Sequence, residues 1–229
     1  MTQTTNNLRK LNRNSTICLE QPPSLPLHHL KFSSARYYSF QSTSTTSRRA
    51  SHRSHHWRVE TTKFTEAELV PAPFPDAPKN KLTVNYEGTI VEPGDKLSPR
   101  VLRFAPRITY DADPESTFTL VMVDPDNLSR KNPSVAEWLH WLVVNIPASN
   151  LIDGIMGGQV LMAYGSPAPQ PRTGQHRYAI LLYEHAGRRI SQPAPTQRAK
   201  FKVKQFQEKH QLGQPVAGLY FISQNDNEP

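Results

Sequence analysis

A chain of 229 residues with a formal net charge of +8 and a single cysteine, Cys18, is long enough for one domain with its own core and has no second thiol for an intrachain disulfide. The charge is lopsided. Residues 1–60 carry nine Lys/Arg against Glu20 and Glu60, whereas residues 61–229 carry eighteen against seventeen Asp/Glu, so a near-neutral body speaks against a nucleic-acid-binding domain. No run of eighteen apolar residues is present to cross a membrane as a helix.

Residues 1–60 are rich in Ser, Thr, Arg and His and contain no Asp. Such a composition cannot bury enough apolar area to offset the entropy of ordering, so this stretch is expected to be a disordered basic leader. Two readings stay open: a plain extension or misplaced start, and a mitochondrial presequence, which is Arg- and Ser-rich and poor in acids. No uninterrupted apolar segment follows Met1, against a secretory signal. The folded domain is expected over 61–229.

From Lys63 onward, Pro and Gly punctuate short apolar runs. PAPFPDAPKN reads as an extended lead-in. In LTVNYEG, Leu82, Val84 and Tyr86 alternate with polar residues, the period of a half-buried strand. VEPGDKLSP is a turn. RITYDADPESTFTLVMV reads as two strands joined by the turn DADPES. Ser134 and Glu137 have capping-box spacing, so a single helical turn is expected before the next strand. WLVVNIP, HRYAILLYEH and GLYFIS are further strands. One helix is predicted in QRAKFKVKQFQEKHQLG, where Ala199, Val203, Phe206 and His210 share a face and Gly213 is the stop. Many short strands and few helices predict a mainly β fold of antiparallel sheets with a few short peripheral helices.

Three stretches could carry chemistry. TFTLVMVDPD drives an apolar strand into Asp124 and Asp126 around a proline. Asp124, at the strand's end, is the site candidate, and Asp126 reads as a turn carboxylate bonded to nearby backbone N–H groups. In EWLHWLVVN, strand alternation puts Trp138, His140, Leu142 and Val144 on one face. His140 there is either a core histidine satisfied by a carbonyl or a ligand group. In TGQHRYAILLYEH, His176 and Tyr178 share a face and Arg177 points the other way. The preceding loop, pinned by Pro167, Pro169 and Pro171, reads as a pocket wall or an ordinary surface loop.

Three chemistries compete for these residues. A metal site from Asp124, His140 and His176 has suitable ligands but no HxxxH, HxD or CxxC spacing. Nucleophilic catalysis lacks a GxSxG motif and any cysteine in the body. An anion pocket needs no reacting group: two imidazoles donate N–H, a carboxylate holds one ring's tautomer, and Trp and Pro form the wall.

The segments DPDNLSRKNPSVAEWLHWLVVN and GQHRYAILLYEH resemble the two signatures of the phosphatidylethanolamine-binding proteins, and FKVKQFQEKHQLGQPVAGLYF resembles that family's closing helix and strand. The likeness covers about residues 80–229. It implies an antiparallel β fold and a small cavity for a phosphate or phosphorylated headgroup. Carried onto this chain, the ligand-binding residues would be Asp124, Trp138, His140, Pro169, His176 and Tyr178, with Asp126 and Arg177 in support. The resemblance implies a non-catalytic binder of a phosphate-bearing ligand, with no cofactor and no direct nucleic-acid partner. It also admits an inhibitor or scaffold that engages a protease or kinase, and a subunit associated with mitochondrial ribosomes. Asn127-Leu128 stand where the family has Ala-Pro, Leu139 where it often has a second histidine, and SPAPQP replaces a Gly-rich loop.

Overall fold

A computed structural model describes residues 62–154, 157–185 and 187–227. The leader expected over 1–60 lies outside the described residues. A first helix is described over 62–66 (α1). There follow β1 (Asn80–Lys81), β2 (Thr83–Tyr86), β3 (Thr89–Ile90), β4 (Arg107–Thr109), β5 (Thr117–Asp124), β6 (Trp138–Pro147), α2 (Ala148–Ile152), β7 (Gln159–Met162), β8 (His176–His185), α3 (Val203–Lys209) and β9 (Ala217–Ser223). Six strands form one sheet in the order β1-β9-β8-β5-β6-β7, and three form another in the order β3-β2-β4. Every ladder is antiparallel except β1 with β9.

The central strands of the large sheet are covered on both faces. Leu120 and Met122 of β5, with Tyr178, Ile180 and Leu182 of β8, pack against Leu82, Val84, Tyr86 and Ile108 of the small sheet. Val121, Val123, Ala179, Leu181 and Tyr183 point the opposite way, against Phe64, Leu69 and Phe74 of the N-terminal segment and Val203 and Phe206 of α3. Burial on both sides is why β5 and β8 read as continuous apolar runs rather than alternating ones. Segment 62–77 therefore builds one core layer, with Phe64, Leu69 and Phe74 all fully buried.

Four local expectations change in the folded chain. β4 and β5 are not a hairpin: β4 pairs with β2 in the small sheet, and β5 joins the large one. The predicted helix starts only at Val203, so Ala199 lies outside it. No helix forms around Ser134–Glu137. Glu137 caps a different helix: its Oε2 accepts from the Val203 N–H at 3.0 Å, at the start of α3. The capping-box expectation is therefore overturned: Glu137 bonds a backbone N–H 66 residues away instead of starting a helical turn with Ser134.

The fourth change creates the site. Simple alternation would put His140 beside Leu142 and Val144. Instead β6 carries a bulge: Met122 pairs with Trp141 and Val123 with Leu139, so His140 has no opposite residue on β5. Leu139, Leu142 and Val144 then pack together on the α3 side, and Trp141 and Val143 on the other. An inserted residue re-aims the side chains around it, which is how bulges commonly serve binding sites.

Candidate functional site

At the end of the large sheet where β5 stops and β6 and β8 begin, a cavity of about 320 Å3 opens. Trp138 and His140 of β6, His176 and Tyr178 of β8, Pro169 of the proline-rich loop, and Leu128 of the 125–137 loop are among its lining residues. Five of the six residues expected to bind ligand thus face one cavity. Asp124 does not line it. It lies behind His176, fully buried, and acts through that ring.

Asp124 is satisfied on both oxygens. Oδ1 accepts from the Asp126 N–H at 2.7 Å, and Oδ2 from His176 Nδ1 at 2.8 Å. The carboxylate thereby fixes the His176 ring and turns Nε2 toward the loop, where Thr173 Oγ1 lies at 2.9 Å. Thr173 has one hydroxyl proton, and its oxygen also lies 2.7 Å from the Gln170 carbonyl, so that proton can serve either the carbonyl or the ring. Carboxylate, imidazole and hydroxyl thus stand in one hydrogen-bonded row from the sheet to the loop.

His140 is held differently. Its Nδ1 lies 2.6 Å from the Gly165 carbonyl, which can only accept, so Nδ1 carries the proton. Burial pushes its pKa down from the usual histidine value. The Gly165 carbonyl and Asp124 oppose that, and the Arg198 and His176 charges add to it. The neutral ring then presents a bare Nε2 lone pair, buried and without a hydrogen-bond partner among the described residues. The expectation that both rings donate to an anion is therefore corrected for His140, whose open Nε2 is an acceptor, while His176 donates from Nδ1 to Asp124. Tyr178 lies between the two, edge-on to His140 and stacked on His176, with ring centroids 5.2 and 6.4 Å apart. Burial, with Asp124 and Asp126 nearby, pushes its phenol strongly up, so it stays an O–H donor.

Asp126 and Arg177 support the site from the far face. Arg177 Nε and Nη2 grip Asp126 at 2.9 and 2.6 Å, and its backbone N–H adds a third bond at 2.8 Å. Nη1 reaches the carbonyls of Ala67 and Glu68. The turn after β5 is thus locked to β8 and to the N-terminal segment by a bidentate, fully hydrogen-bonded ion pair.

Several contributors escape a sequence reading. Arg198 donates to the carbonyls of Leu139, His140 and Ala163, tying the bulge to the strand beside it. Asn225 Nδ2 donates to the Pro169 carbonyl at 2.9 Å, bracing the proline wall from a neighbouring groove that holds Lys96 and Ser223. Gly165, Arg198 and Asn225 act on or through backbone carbonyls, which have no signature in residue type. Thr173 had one cue, its place three residues before His176 in T-G-Q-H. Among the described residues, no group of three His, Cys, Asp or Glu is arranged to hold a metal ion.

The family model described as phosphatidylethanolamine-binding protein matches residues 75–221, the span that contains every residue of this cavity. The chain belongs to the phosphatidylethanolamine-binding protein family. A Drosophila melanogaster protein with a provisional odorant-binding name, A5, is 36% identical over 168 residues, covering 70% of this chain and 78% of its own. The Arabidopsis thaliana protein BROTHER of FT and TFL 1 is 37% identical over 150 residues, 65% of this chain and 81% of that one. The carboxypeptidase Y inhibitor, solved with its cognate proteinase, superposes with a TM-score of 0.62 over 74% of this chain and 96% of its own; at 20% identity that likeness speaks to the fold alone. The matched span holds the central strands of the large sheet and both cavity histidines, His140 and His176. Its own Asn127 and Leu128 line the cavity mouth, and Leu128 is 42% exposed there.

Proposed function

We propose that this family member is a non-catalytic binder of a phosphate-bearing ligand, a phospholipid headgroup or a related phosphate anion. One observation carries the reading: His140 Nε2 is buried and unpartnered in a cavity it shares with the His176 ring. A buried polar atom without a partner costs about 1–3 kcal/mol, which a ligand atom would recover. Asp124 behind His176 holds that ring in place, and Trp138, Pro169 and Leu128 give the apolar wall a small ligand needs.

Titration of phosphoethanolamine into the purified protein, followed by calorimetry, tests this. Saturable binding is expected in the wild type, weakened at least tenfold in His176→Ala. Equal affinity in the two proteins, or turnover of a phosphate ester abolished by Thr173→Val, would end the reading. The acid-poor leader supports a mitochondrial address, and intact-mass measurement of the protein from its native source checks whether residues 1–60 are removed.

A further inference from the structure

Among the described residues, three buried side-chain polar atoms lack a partner: His140 Nε2, Gln207 Oε1 and Ser223 Oγ. Only His140 lines the cavity at the end of the large sheet. Its Nδ1 proton is committed to the Gly165 carbonyl, so what reaches Nε2 must bring a proton of its own. Resting on the phosphate-binding reading, we propose that the pocket selects phosphate by its hydroxyl: it takes a phosphomonoester or hydrogen phosphate, whose P–OH donates to His140 Nε2, over sulfate and phosphodiesters, which lack that proton.

The surroundings favour this over protonation of His140. The charged groups that face its ring are Asp124 and His176 behind the cavity and Arg198 across the bulge, with the phenol of Tyr178 against its edge. Arg198 sits on the His140 carbonyl itself, with Nη1 at 2.8 Å, so a second cation would form against a guanidinium. Asp124 is already spent on His176 and on the Asp126 N–H. A monoprotonated phosphate is both a monoanion and a donor. Its remaining oxygens are acceptors for the Tyr178 O–H, which lines the same cavity.

The test measures dissociation constants for methyl phosphate, dimethyl phosphate, glycerophosphoethanolamine and sulfate on the full chain, between pH 6 and pH 8. Methyl phosphate is expected to bind at least tenfold tighter than the other three at pH 6. Its affinity should fall about fiftyfold by pH 8, because a phosphomonoester loses its last proton near pH 6. His140→Asn, whose amide still reaches the Gly165 carbonyl, should bind methyl phosphate and sulfate alike. Sulfate, dimethyl phosphate or glycerophosphoethanolamine binding the wild type as tightly as methyl phosphate would overturn this inference and leave the anion-binding reading standing. Binding of none of the four would overturn both.

Discussion

The two ends of the large sheet hold the same side chain in opposite states. His140 and His185 are buried almost equally, at 5% and 6% exposure, so burial does not separate them. His185, closing β8, has both ring nitrogens engaged: Nδ1 with the Arg188 carbonyl at 2.7 Å, Nε2 with Thr119 Oγ1 at 3.2 Å. Nearby, Asn145 sits at a second irregularity of β6 with a positive φ of 57° and exchanges two amide hydrogen bonds with Ile190. Every polar group named at that end is closed on the protein itself. At the pocket end Asp124, Asp126 and Arg177 are equally well closed, but His140 is left with an open nitrogen. Satisfied burial is architecture; a single unsatisfied atom, facing a cavity and backed by rigid neighbours, is where a ligand fits.

That contrast can be broken by substitution. The largest effect is expected from Asp126→Ala, which strands the Arg177 guanidinium inside the protein. Removing one partner of a buried pair costs about 3–5 kcal/mol, measurable by urea denaturation, with ligand affinity falling as the turn loosens. A cost below about 1 kcal/mol would show that the pair does not hold the pocket end together.

Next comes Glu137, the capping residue beside Trp138. Burial pushes its carboxyl up to about 7, while the Val203 N–H and Lys202 pull the other way. A carboxyl with a folded pKa above its unfolded value binds extra protons in the folded state. Its contribution is therefore fully present below about pH 4.5 and lost as pH rises through about 7. Glu137→Gln, neutral throughout, should be more stable than the wild type by about 3 kcal/mol at pH 8 and indistinguishable at pH 4. A stability difference that does not change with pH would refute the assignment.

The last two predictions use one substitution at both ends. His185→Asn deletes the nitrogen bonded to Thr119 and should cost about 1–2 kcal/mol without changing phosphate affinity. His140→Asn deletes a nitrogen that bonds nothing, so stability should move by less than about 1 kcal/mol while phosphate binding drops at least tenfold. Exchange of these two outcomes, read by denaturation and calorimetry, would mean that the ends had been assigned the wrong way round.

Much of this was legible in the residue order, and the failures share a cause. β8 was read residue for residue, because an unbroken ten-residue strand keeps strict alternation and so places His176, Arg177 and Tyr178 correctly. His140 was put in the right cavity for the wrong reason. Alternation counted straight through β6 cannot see a bulge, which depends on how β5 opposes it. The capping-box spacing of Ser134 and Glu137 misleads for a similar reason: no helical turn forms there, and Glu137 bonds a backbone N–H far along the chain. Residue type also gives the two imidazoles the same role, and the structure separates them at Nδ1. The difference lies in what faces each Nδ1: a carboxylate for His176, a backbone carbonyl for His140.

Residue order by itself determined the β class and the long central strands β5, β6, β8 and β9, but not the edge strand β7. Those strands follow from hydrophobic period and residue type, which are local properties, whereas the set of side chains at their end was implied by the family resemblance. Tertiary structure alone decided that His140 Nε2 is left open toward the cavity while His176 Nδ1 is closed on Asp124. A ring's tautomer is set by its neighbour across space, and here those neighbours come from 52 residues away for His176 and 25 for His140.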